Sequence, residues 1–134
     1  MKYVKLIIPF LLVITLSACS STKLKCTIKN NELDSKYVIT FKNNKFSSLS
    51  LKEKRIYDSL DAIIDLDYYE LVNKYEELDY KGVDYDIKEN KNDISITLNT
   101  KEGKYKNNSI IPITENMTMD DARSALTALG YTCK

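Results

Sequence analysis

Apolar side chains fall along this chain as one long block followed by short alternating runs. Leu6 to Leu16 is an eleven-residue apolar run behind Lys2 and Lys5. After a short polar stretch, Ser20–Lys23, residues Leu24, Cys26 and Ile28 alternate with polar neighbours, as in a half-buried strand. A second strand is expected over Lys36–Lys42, with Tyr37, Ile39 and Phe41 on one face. Asn43-Asn44 suits a two-residue hairpin turn, because asparagine tolerates positive φ. That turn sets Phe41 opposite Phe46, and a bulge near Ser47-Ser48 returns Leu49 and Leu51 to the apolar face.

Helical spacing takes over next. Ile64, Tyr68, Leu71, Tyr75 and Leu78 form one helical stripe, closed by Gly82. Asp67-Tyr68-Tyr69-Glu70 has the form of a capping box, with Leu66 and Leu71 as its hydrophobic staple, although the stripe extends back to Leu60 and permits a start at Ser59. Val83, Tyr85 and Ile87 alternate again, as do Ile94, Ile96 and Leu98 beyond a polar turn at 90–93. Lys101–Asn116 has no clean period and reads as an edge strand or packed loop around Pro112. A last helix begins at Thr118, has Asp120 and Asp121 in its first turn, buries Met119, Ala122, Leu126 and Leu129, and ends at Gly130. The order β-β-β-α-β-β-α predicts an α+β domain, an antiparallel sheet of about five to six strands with two helices packed on one face.

The opening block is too short to span a bilayer, which takes about 20 apolar residues, and fits the h-region of a signal peptide at about 7–15. Leu16-Ser17-Ala18-Cys19 matches the lipobox of bacterial lipoproteins. The match implies lipidation of Cys19 and cleavage before it; ordinary secretory cleavage leaving a free thiol is the alternative. The expected organisation is a signal peptide at 1–18, a lipid-anchored tether at 19–23 and one domain at 24–134. More than one acyl chain is needed for stable anchoring, and the expected location is the extracytoplasmic face of a cell membrane. With Cys19 lipidated, Cys26 and Cys133 remain. An exported chain sits where disulfides persist, so the two either pair or stay as separate thiols, parity favouring the pair.

Composition removes several classes of chemistry. The 134 residues include no histidine, which excludes Ser-His-Asp triads, Cys-His pairs and His-ligated zinc. With 20 basic and 19 acidic side chains, the chain lacks the basic footprint of a nucleic-acid binder. Charge is nonetheless segregated: 20–56 carries net +6, 57–90 net −8 and 91–134 net +1. Lys23, Lys25 and Lys29 would face anionic lipid beside the anchor, leaving acidic Glu70, Glu76, Glu77 and Asp79 as a candidate partner face; a self-compensating solvated surface is the plainer reading. Asp58, Asp61, Asp65, Asp67 and Glu70 have oxygen ligands for calcium but no EF-hand spacing, and acids there also stabilise a helix N-terminus, so no metal site is assigned. Of the tyrosines, Tyr37, Tyr75 and Tyr85 fall on core faces, whereas Tyr57, Tyr69, Tyr80 and Tyr105 are freer to stack on a ligand.

Lys74-Tyr75 leading to Tyr80-Lys81-Gly82-Val83-Asp84-Tyr85, the Ile94–Thr100 strand and the closing Leu129-Gly130-Tyr131, taken with the lipobox, resemble small bacterial lipoproteins of the YehR-like kind, a family of uncharacterised function. The resemblance implies an antiparallel sheet with two helices and supplies no catalytic residues or cofactor. The function expected is a non-catalytic, monomeric interaction or binding module held at the membrane through Cys19, with an envelope protein as candidate partner. A structural or envelope-stress accessory role is the alternative, and a carboxylate-based hydrolase a more distant one.

Overall fold

The computed structural model describes residues 20–57 and 61–134, except the side chains of residues 61 and 62. The proposed signal peptide, Cys19 and Asp58 lie outside them. Six strands form one antiparallel sheet: β1 (Ser21–Lys29), β2 (Leu33–Lys42), β3 (Lys45–Ile56), β4 (Val83–Glu89), β5 (Asp93–Thr100) and β6 (Thr132–Cys133), in the order β4-β5-β3-β2-β1-β6. Helices α1 (Asp61–Tyr75) and α2 (Met119–Ala128) cover one face, α1 over β4 and β5, α2 over β1 and β6. This is the α+β arrangement expected from the pattern.

The period-two alternation generates the core directly. Register sets Leu24 beside Ile39 and Leu49, and Cys26 beside Tyr37, Leu51, Leu98 and Tyr85, so apolar residues run in rows across the strands. Ile64, Leu71, Tyr75 and Leu78 close over β4 and β5, and Ala122 and Leu126 close over β1. Asn43 and Asn44 have φ of 53° and 60°, the left-handed pair a tight hairpin requires. The register shifts at Thr40/Phe41, so Phe41 meets Phe46 edge-on at 6.5 Å. Both the turn and the bulge follow the expectation.

Several boundaries differ from it. Ser21–Lys23, expected in the tether, already pair with Thr40–Lys42 as part of β1. β2 begins at Leu33 rather than Lys36, and β3 continues to Ile56. The helix does not start at Asp67, because α1 is already formed at Asp61. Leu66 and Leu71 therefore lie about 140° apart around the axis, and the staple fails; Leu66 is 60% exposed. Gly82 follows a 3-10 turn, Glu76–Tyr80, rather than closing α1 itself. Leu129, expected to be buried, is exposed, since it falls after the last turn of α2. That helix has the stronger start: Thr118 Oγ1 accepts from Asp121 N and Asp121 accepts from Thr118 N, a reciprocal capping box.

Residues 101–116 are a packed loop. Lys101 N donates to Gly82 O at 2.8 Å and Lys106 N to Lys81 O at 2.9 Å, clipping the loop to the turn before β4. Asn108 Oδ1 accepts from the amides of Ile110 and Ile111, and Ile111 and Ile113 enter the core. Tyr105, expected to be free for a ligand, is 7% exposed and donates its hydroxyl to the Ile113 carbonyl. The two-residue β6, for which the pattern gave no signal, brings Cys133 opposite Cys26, and the two form a disulfide.

Candidate functional site

One surface and one buried polar cluster carry unexplained chemistry among the described residues. The surface is the outer side of α1 and the turn that follows. Ile63, Leu66 and Tyr69 are each more than half exposed, a step of three along the helix, with Glu70 beside them. An apolar row left open on a charged helix is a candidate docking surface. The sequence pattern hid this row because Leu66 fitted the staple and Tyr68, facing inward, shared its apolar character.

The four acids expected to form a partner face do not act alike. Glu77 accepts from Ser109 N at 3.0 Å and Ser109 Oγ at 2.5 Å, which holds its carboxyl below the usual range and fastens the loop to the turn. Asp79 accepts from the Tyr85 hydroxyl at 2.9 Å. Glu76 and Glu70 are exposed, and Glu70 borders a depression of about 230 Å³ with Arg55, Asp67, Leu71 and Lys74. Asp67, one of the acids considered for calcium, instead acts on Tyr57: burial, with this carboxylate beside it, pushes the Tyr57 hydroxyl up to about 12.

The buried cluster lies on the core side of β3. Glu53 shares a row with Ser35 and Ile96, and Arg55 one with Leu33 and Ile94. Arg55 Nε donates to Glu53 Oε2 at 3.0 Å; the Glu53 side chain is 10% exposed and the Arg55 side chain 39%. Ser35, fully buried, leaves room for Tyr131, whose hydroxyl lies 2.7 Å from Ser35 Oγ and whose ring packs edge-on against Tyr37 at 5.3 Å. Lys52 and Lys54 mask the alternation in Leu49-Ser50-Leu51-Lys52-Glu53-Lys54-Arg55; opposite charges two apart were the available signal. A buried carboxylate needs its partner. Arg55→Met should therefore destabilise by about 2 kcal/mol, the usual worth of a hydrogen bond to a charged group, and Glu53→Leu/Arg55→Met should recover most of it. Urea unfolding of the two variants measures this, and equal losses would show that the pair is not acting as a unit.

Tyrosines also set the alkaline limit of the fold. Burial raises Tyr75 to about 12, and burial plus hydrogen bonding to Asp79 raises Tyr85 to about 12. A phenol whose folded-state pKa is raised contributes stability below its unfolded value near 10, lost as pH climbs through the folded value. Stability should thus fall between about pH 10 and 12 and, with no histidine in the chain, stay level from about pH 6 to 9. Chemical denaturation across pH, with tyrosinate absorbance followed alongside, tests both limbs; a step near neutrality would contradict the second.

Comparison with known proteins bears on the fold. No family model and no curated protein matches the sequence. Among solved structures, the NMR structure of the E. coli YehR protein superimposes with a TM-score of 0.62 at 14% identity, covering 86% of this chain and 91% of that one. The NMR structure of a protein from Streptococcus pneumoniae TIGR4 gives a TM-score of 0.53 at 14% identity, covering 86% of each chain. The fold of this chain is YehR-like.

Proposed function

We propose that this chain is a lipoprotein anchored through Cys19 on the outer face of a membrane, where its domain acts as a non-catalytic interaction module. The observation that carries the anchoring is Leu16-Ser17-Ala18-Cys19 behind a basic, then apolar, N-terminus. The interaction role rests on the outer side of α1, where Ile63, Leu66 and Tyr69 lie open beside Glu70. A partner for this row has apolar side chains flanked by a basic one, and an envelope protein at the same membrane fits that description. Large apolar anchors with a charged rim are the usual energetic core of a protein interface.

In-cell crosslinking of the tagged full-length chain tests the reading. The wild type should give one reproducible crosslinked species, lost in Leu66→Asp/Tyr69→Asp, with both proteins in the membrane fraction. Cys19→Ser should abolish metabolic incorporation of labelled fatty acid. A crosslinked species unaffected by the α1 substitutions would remove this face from the proposal, and a Cys19→Ser chain that still takes up label would remove the anchor.

A further inference from the structure

The sheet has a second face, which no described residue covers. Alternation puts Lys23, Lys25 and Lys29 of β1 on it, and register lays Lys36 of β2 beside Lys52 of β3, with Lys54 one step along. Lys42 and Lys45 sit on the same side at the hairpin. Across β1–β3 this face therefore carries eight lysines against one acid, Asp34. Lys42 is paired, with Glu102 at 3.4 Å; the other seven are within ion-pairing distance of no described carboxylate. The acids farther along, Asp84 and Asp86 of β4, are neutralised by Lys101 and Lys88. Between the strands runs a trough of about 330 Å³ bordered by Lys36, Lys52, Lys54, Ser95 and Thr97, with Asp34 at its side.

We infer that this lysine face docks flat on the anionic phospholipid headgroups of the membrane that holds the chain, turning the acidic α1 layer outward. The inference rests on the anchor proposed above and adds the orientation of the domain upon it. Two features select this occupant. Unpaired lysines spread over three strands match a laterally continuous anionic surface, to which each lysine contributes independently. Second, β1 begins at Ser21, two residues after Cys19, so the sheet starts within about 7 Å of the lipid attachment at roughly 3.3–3.6 Å per residue. The nearest basic positions, Lys23 and Lys25, are already part of the face. Lysine in place of arginine suits a surface bound through charge rather than through fixed bidentate geometry.

The test uses the full lipidated chain, purified from membranes, its lysines carrying isotope-labelled methyl groups, in nanodiscs doped with a gadolinium-chelating lipid. In discs of phosphatidylglycerol and phosphatidylcholine, signals of Lys25, Lys36, Lys52 and Lys54 should broaden several-fold more than those of Lys74 and Lys81 on the helical side. The difference should shrink in phosphatidylcholine alone and at 1 M salt, where the Debye length is about 3 Å. Lys36→Glu/Lys52→Glu/Lys54→Glu should remove it while leaving the protein on the disc. Equal broadening of the two sets on anionic discs overturns the inference and leaves the anchor intact. A wild-type chain that fails to associate with phosphatidylcholine discs overturns the anchor; the lysine face then stands if the chain still binds anionic discs and the triple substitution releases it, and falls otherwise.

Discussion

Removing the Cys26–Cys133 bond lowers the stability of this domain by about 4–5 kcal/mol. The bond joins residues 107 apart in sequence, and in the chain-entropy account a loop of about 100 residues is worth about 4.7 kcal/mol. Its position concentrates the effect. β6 is two residues long and pairs only with β1, extended by the mutual hydrogen bonds of Lys25 and Lys134 at 3.0 and 2.8 Å. So short a strand holds little by itself. Without the bond, the C-terminal segment leaves, and Tyr131 withdraws from Ser35 and Tyr37. Cys26→Ala/Cys133→Ala is preferable to serine, because Cys26 is fully buried and a serine hydroxyl there would lack a partner. The melting temperature should drop by about 15–20 °C in the double variant, and by a similar amount when the wild type is reduced. A drop under about 5 °C in both would show that packing alone holds the C-terminus.

Gly82→Ala should be the most damaging single glycine substitution, and Gly103→Ala its control. Both residues have positive φ, 69° and 72°, so both variants carry the backbone strain of alanine in the left-handed region, about 1 kcal/mol. They differ in surroundings. A Cβ on Gly103 meets nothing within 4 Å, whereas one on Gly82 overlaps the Lys104 carbonyl and comes 2.8 Å from Tyr105 N. Backbone cannot swing aside as a flexible side chain does. Opening the contact would break the Gly82–Lys101 and Lys81–Lys106 hydrogen bonds and lift Tyr105 from the core. Gly82→Ala should cost about 3–4 kcal/mol, with Gly103→Ala near 1 kcal/mol. Urea denaturation resolves that gap, and similar losses would mean the loop relaxes freely.

The sheet was legible because a two-residue period with small turn residues has few alternative readings. Asn43-Asn44 and the Phe41/Phe46 pairing followed from turn chemistry alone, and the Thr118 helix start from its acids. What was hidden shares a physical cause: local pattern cannot register a contact made at long range. Lys36, Lys52 and Lys54 become neighbours of the β1 lysines only through register, so just Lys23, Lys25 and Lys29 could be assigned to a basic surface beforehand. Glu53 and Arg55 carry no local mark of burial, because that burial depends on each other and on tyrosines far along the chain. Tyr105 seemed free because no periodicity marks a loop that is folded back onto its own core. Asp67 and Glu70 carry the spacing of a cap, yet the helix had already begun two turns earlier.

The pairing of β1 with β6 also fixes an order of events. β1 is the first strand to be synthesised, and β6, its neighbour on the open side, is the last. At about 5–20 residues per second, Cys133 is made about 5–20 s after Cys26. Disulfides form on the oxidising side of the membrane, where the proposed export places the chain, and there Cys26 can meet one cysteine before Cys133 arrives: Cys19, seven positions away. A premature Cys19–Cys26 bond would leave Cys133 stranded and β6 undocked. The proposed lipid on Cys19 occupies that sulfur as a thioether, so the modification that secures the protein to its membrane would also leave Cys26 a single thiol to find.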